Sequence, residues 1–178
     1  MMATAVSIPD TALPRTSDAR YKLFGIAALV ILFDRVSKLW IYTHLHAGNA
    51  IPVIDDVFRI THVRNTGAAF SMFQETADVA NVRYALVGFS VFAVVVVLAM
   101  MLRVGRNLTA TSVALALILG GALGNLYDRL RYAYVIDFLE VHIGNFHWPD
   151  FNVADSCIVI GACLLLIEIF KPTPAPSE

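Results

Sequence analysis

The chain has 178 residues, of which 58% are hydrophobic and only 15% charged, with a mean hydropathy of +0.68. That is too apolar for an ordinary soluble domain, and the length suits one compact unit. A net charge of −1 offers no general attraction for nucleic acid or acidic partners.

Residues 1–22 read as a mobile, Pro-containing tail. Residues 23–42 are the first stretch long enough to span a bilayer. Asp34, Arg35 and Lys38 interrupt it, and such charges argue against a cleaved signal peptide, whose apolar region is charge-free. Residues 43–83 are polar and aromatic, with strand candidates at Ile51-Pro52-Val53 and 57–63 and a turn at Arg64-Asn65-Thr66-Gly67. A segment of about 40 residues is too long for a bare loop, so a small folded platform is expected.

Residues 84–102 and 108–126 are uncharged and predict the second and third spans, joined by the basic turn Arg103-Val104-Gly105-Arg106-Asn107. Gly120 and Gly124 form a small-xxx-small face that lets another helix approach, and Asn125 then needs a cross-helix partner. Residues 129–152 form a second outer segment, with a hairpin at Ile143-Gly144-Asn145-Phe146 between strands 135–143 and 146–151. Asn152 suits the N-cap of a fourth span, 153–170, with Asp155 in its first turn. Cys157 and Cys163 face different ways on that helix, so neither a disulfide nor a metal pair is expected. A Pro-rich tail, 171–178, follows. The expected fold is a mainly α membrane protein, a four-transmembrane-helix bundle (residues 23–170) with a small extracytoplasmic β platform. The short basic turn at Arg103 and Arg106 puts that turn and both tails in the cytoplasm.

The acids carry the chemistry. Asp34 and Lys38 are an i,i+4 pair on one helix face, and buried charges in hydrocarbon pair toward the bundle interior. Asp128 precedes Arg129, which reads as its partner. Asp137 is flanked by large apolar residues, a setting that raises a carboxyl pKa by desolvation, and Asp155 lies where a helix dipole favours negative charge. An aspartyl peptidase needs two carboxyls sharing one proton, one to activate water and one to polarise the carbonyl. Asp137 with Asp155 matches those environments, and Asp128 with Asp155 remains open from the residues alone. Lys38 with Ser37, Ser71 or Ser156 suggests a Ser-Lys peptidase far less well. His44, His46, His62, His142 and His147 contain no His-Glu-x-x-His spacing and read as surface or interfacial. Asp150, after Pro149, reads as a solvated turn aspartate. Phe70, Phe73, Phe146, Trp148 and Phe151 suit an interfacial belt or an acyl-chain groove. The rival from another class is a small ion-coupled carrier or channel using Asp34, Lys38 and Asp155 as a charge relay.

Five blocks taken together resemble the lipoprotein signal peptidase (signal peptidase II) family. They are Asp34-Arg35-Val36-Ser37-Lys38; Arg64-Asn65-Thr66-Gly67-Ala68-Ala69-Phe70; residues 120–129, ending in Asn125-Leu126-Tyr127-Asp128-Arg129; Val135-Ile136-Asp137-Phe138; and Phe151-Asn152-Val153-Ala154-Asp155-Ser156. The resemblance implies an inner-membrane enzyme that cleaves prolipoproteins just before a diacylglyceryl-modified cysteine, at an extracytoplasmic site and without a cofactor. It implies Asp137 and Asp155 as the catalytic pair. Asn65, Asn125, Arg129 and Asn152 hold substrate or brace the site, with Gly67, Asp128 and Ala154 in the same motifs and Asp34 and Lys38 in the first helix. It also implies inhibition by globomycin-type cyclic peptides and close contact with membrane lipids.

Overall fold

The apolar runs fold into helices longer than their uncharged centres. The computed structural model describes residues 18–67 and 79–171. It contains α1 (Arg20–His44), β1 (Ala50–Ile54), β2 (Phe58–Asn65), α2 (Val79–Val104), α3 (Ala110–Tyr132), β3 (Val135–Ile143), β4 (Phe146–Phe151) and α4 (Val153–Ile169). The expectations for Phe70, Ser71 and Phe73, and for residues 1–17 and 172–178 of the tails, lie outside the described residues.

Two helical stretches, Asn81–Val104 and Ala110–Tyr132, are long and apolar enough to cross a membrane, with mean hydropathies of 2.8 and 1.5. Few residues of the first are fully buried, whereas over half of the second are. α1 carries Asp34, Arg35 and Lys38, and α4 has 17 residues, so length and composition alone do not give four crossings.

α3 runs on past residue 126, where the uncharged stretch ends, to Tyr132, so Asp128 and Arg129 are helical rather than at the edge of an outer loop. Charged residues do not break a helix, and Arg129 and Arg131 in its last turn complement the negative end of the dipole. Ala133 then ends it in the left-handed region, φ 67°, its N–H bonding back to Arg129 O.

The two segments between the helices join one antiparallel sheet of order β1-β2-β3-β4. The joining pair is β2 with β3, which sets Val63 opposite Asp137 and Asn65 opposite Val135. Ile41, Ile136 and Phe138 pack together and fasten the sheet to the C-terminal end of α1. At the other end Ala19 N–H donates to Arg106 O at 3.0 Å, so the α2–α3 turn lies beside the start of α1. Leu23, Ala27, Met101, Leu115, Ala116 and Leu119 form the core of that half.

α3 is the central helix, in contact with α1, α2 and α4. Its glycines set how closely two of these approach. A Cβ on Gly124 would lie 2.7 Å from Asp34 Oδ2 on α1, and one on Gly121 would strike Ala154 O on α4. The second contact is with backbone, so Gly121→Ala must displace the first turn of α4, which carries Asp155. Overpacking of this kind is expected to cost about 1–3 kcal/mol of stability, read by thermal unfolding.

Candidate active site

Asn152 and Asp155 close the N-terminus of α4 with a reciprocal capping pair. Asn152 Oδ1 accepts from the Asp155 N–H at 3.0 Å, and Asp155 Oδ2 accepts from the Asn152 N–H at 3.3 Å. The other carboxylate oxygen, Oδ1, accepts from Asn125 Nδ2 at 2.7 Å. Asp155 is thus held from two helices while remaining half-buried.

Asp137 comes to the same place on β3. Its Oδ2 accepts from Asn65 Nδ2 at 2.8 Å and its Oδ1 from Asn152 Nδ2 at 2.7 Å. Asn152 therefore touches both acids, one through its main chain and one through its side chain. Asn65 is itself fixed by the Gly67 N–H, which donates to Asn65 Oδ1 at 2.8 Å. Gly67 sits at φ +97°, and a Cβ there would also strike Leu86. Asp137 is only 2% exposed. Burial, reinforced by the charge of Asp155 and opposed by the amides of Asn65 and Asn152, pushes its pKa up to about 6.

A buried ionic layer lies beneath. Lys38, fully enclosed, sits 2.9 Å from Asp34 Oδ2 and 2.9 Å from Asp128 Oδ2, and donates to Asn125 Oδ1 at 3.0 Å. An ammonium only donates, so Asn125 must turn its carbonyl to Lys38 and its NH₂ to Asp155. Asp34 Oδ1 accepts from the Ala154 N–H at 3.1 Å, tying α1 to the first turn of α4.

The expected Asp128–Arg129 pair does not form. Successive helical residues point apart, and Asp128 instead pairs with Lys38 and with Arg35, whose guanidinium lies over Tyr127 at 4.5 Å. Arg129 faces α2, its Nη1 donating to Ser90 Oγ at 3.5 Å. Arg35 was legible only as a charge in an apolar run; its role depends on α3 lying alongside. Two further readings change. Asp150 is in β4 and accepts from Thr61 Oγ1 at 2.6 Å, and His62 is buried with Nδ1 against Leu45 O at 2.6 Å.

A groove of about 660 Å³ opens beside Asp155. Leu86, Phe89, Ala93, Ile118, Ala122 and Ile158 give it apolar walls, and Ser90, Asn125, Arg129 and Asp155 make one end polar. Such a shape takes a greasy chain and presents a polar group at its end to a carboxylate.

The family described as signal peptidase (SPase) II matches residues 26–171. The chain belongs to the signal peptidase II family. A lipoprotein signal peptidase of Pseudomonas syringae pv. tomato is 44% identical over 165 residues, covering 92% of this chain and 94% of the relative. One from Pseudomonas fluorescens strain Pf-5 is 46% identical over 147 residues, covering 82% and 85%. A solved structure described as a bacterial membrane enzyme superposes with a TM-score of 0.74 at 29% identity, covering 86% of this chain and 95% of that one. The signal peptidase II match contains every residue of the site, from Asp34 to Asp155. It does not favour the carrier or channel reading, and the Lys38 ammonium is already surrounded by Asp34, Asn125 and Asp128.

Proposed function

We propose that this chain is a membrane-embedded aspartyl endopeptidase that removes signal peptides from diacylglyceryl-modified prolipoproteins, cutting just before the lipidated cysteine. Asp137 and Asp155 are its catalytic pair. The observation that carries this is Asn152 bridging two carboxyls from different elements, one of which, Asp155, lines the polar end of an apolar groove.

The two carboxyls share one proton and bracket one water. The ionised member takes a proton as the water oxygen attacks the scissile carbonyl carbon, and the protonated member donates to the carbonyl oxygen. When the C–N bond breaks, a carboxyl returns a proton to the departing amine. The raised pKa of Asp137 suits it to hold the shared proton at rest, although the titration belongs to the pair. Asn65, Asn125 and Asn152 fix the carboxyls, Gly67 and Ala154 act through their N–H groups, and Arg129 faces the substrate. Asp34, Lys38 and Asp128 brace the layer beneath. Acyl chains and the apolar signal sequence enter the groove sideways from lipid, and globomycin-type cyclic peptides compete there.

In this reading four helices cross the inner membrane, residues 23–170 forming the peptidase unit. The sheet and the acid pair lie at the outer face, where water is available. The tails, 1–22 and 171–178, and the basic turn at Arg103 and Arg106 are cytoplasmic. The placement of that turn beside the start of α1, away from the sheet, supports this orientation.

The test is purified protein in lipid with a diacylglyceryl-modified precursor, followed by mobility shift with and without globomycin. Cleavage of the lipidated precursor alone, blocked by globomycin, is expected; ion flux in proteoliposomes without cleavage overturns the reading.

The pH profile follows from Asp137. Above about 6 the shared proton is lost, so kcat/KM is expected to fall toward about tenfold per pH unit. Because burial is the main cause of the shift, a substrate that covers Asp137 moves the corresponding limb of kcat to higher pH. The same sign governs stability: a raised carboxyl stabilises the fold at low pH, and that contribution is lost as pH rises from 3.8 through about 6.

A further inference from the structure

The β3–β4 hairpin carries a second cluster, apart from the aspartates. The register sets His142 opposite His147, and their rings stack at 4.9 Å with 20° between planes. Both Nε2 atoms converge on Glu140 Oε1, at 3.2 Å from His142 and 2.9 Å from His147, and the three donor atoms lie within 4.8 Å of one another. We propose that Glu140, His142 and His147 form a binding site for one divalent transition-metal ion of the zinc class.

Ligand atoms held about 2.0–2.1 Å from a tetrahedral zinc lie about 3.3 Å from one another, close to the two Glu140–histidine distances of 3.2 and 2.9 Å. Two imidazoles and one carboxylate suit zinc, copper or nickel rather than the all-oxygen preference of magnesium or calcium. His142 Nε2 is shielded from solvent and faces Glu140 Oε1 at 3.2 Å without well-aligned hydrogen-bond geometry. His147 is half-exposed, which gives an ion a way in. Asp150 Oδ2, 4.0 Å from His147 Nε2, or a water supplies the fourth position.

The carboxylate is prepared from behind. Arg59 donates to both oxygens of Glu140 at 2.5 Å and holds its carboxyl below the usual range. An ion on Oε1 leaves the Arg59 Nε bond to Oε2 in place, where it orients the ligand. With Asp150 included, two carboxylates against one guanidinium leave a local charge that a dication reverses rather than compounds. The sequence shows no metal spacing because the ligands come from both sides of a hairpin. The ion would clip β3 to β4, stiffening the strand that bears Asp137 without touching substrate.

The test uses the full chain in lipid nanodiscs, stripped with chelator and dialysed against zinc, nickel or magnesium. Expected are one zinc per chain, a raised unfolding temperature, and the intense visible band of tetrahedral cobalt on substitution. The variants His142→Ala and His147→Ala should each weaken zinc binding at least about tenfold, with precursor cleavage by the stripped wild type persisting. The half-exposed His147→Gln carries the test should the alanine variants fail to fold. Absence of saturable zinc binding, unchanged binding in a folded His147 variant, or preference for magnesium overturns the proposal. Metal content is read independently of cleavage, so this result and the peptidase assay can fail separately.

Discussion

Asp137→Asn and Asp155→Asn are each expected to lower turnover of a lipidated precursor about 10³-fold or more while leaving the protein folded. Each substitution removes the ability to exchange the shared proton but keeps a carbonyl oxygen in the same place. At position 155 that oxygen still accepts from the Asn152 N–H, so the cap of α4 survives. At position 137 an amide oxygen still accepts from one of the two asparagines that hold it. Groups that act as a unit are not additive, so the double variant should be little worse than either single one. Asp128→Asn separates the pair from the alternative the sequence leaves open. Asp128 touches Lys38 and Arg35 rather than the Asn152 bridge, so its loss should appear first in stability. Single-turnover cleavage and thermal unfolding, measured on the same preparations, distinguish these outcomes. Normal processing by folded Asp137→Asn or Asp155→Asn would remove the catalytic assignment.

The elements legible in the sequence are those whose signals are local. The hairpin at Gly144-Asn145 and the Asn152 cap announce themselves through turn and capping residues, and both fall where those residues put them. The Asp34–Lys38 pair follows from helical spacing alone. What was not legible depends on elements far apart in the chain. Pairing of β2 with β3 makes one sheet from two segments between the helices and brings Asn65 to Asp137. Asp128 looked like the partner of its neighbour Arg129, yet helix geometry turns it toward α1 and Arg35. The uncharged stretch ends at residue 126, but hydropathy marks where lipid-compatible sequence stops, not where the helix does.

Lys38→Met is expected to destabilise the protein by about 3–5 kcal/mol, the cost of breaking a buried ion pair from one side. Lys38, Asp34 and Asp128 are all fully enclosed, so no water replaces the missing ammonium. Arg35 still answers Asp128, whereas Asp34 keeps only the Ala154 N–H. Adding Asp34→Asn should therefore recover part of the loss, because the amide oxygen still accepts that N–H and no bare charge remains. Turnover falls as well, by a separate route. Without Lys38 the Asn125 oxygen keeps only the longer bond from Asn152 Nδ2, at 3.3 Å, so the amide that donates to Asp155 Oδ1 is held less firmly. The double variant recovers part of the stability but not the Lys38 bond to Asn125, so its unfolding midpoint should rise while turnover stays low. A recovery of both together would mean that Lys38 acts on the acid pair only by holding the bundle closed.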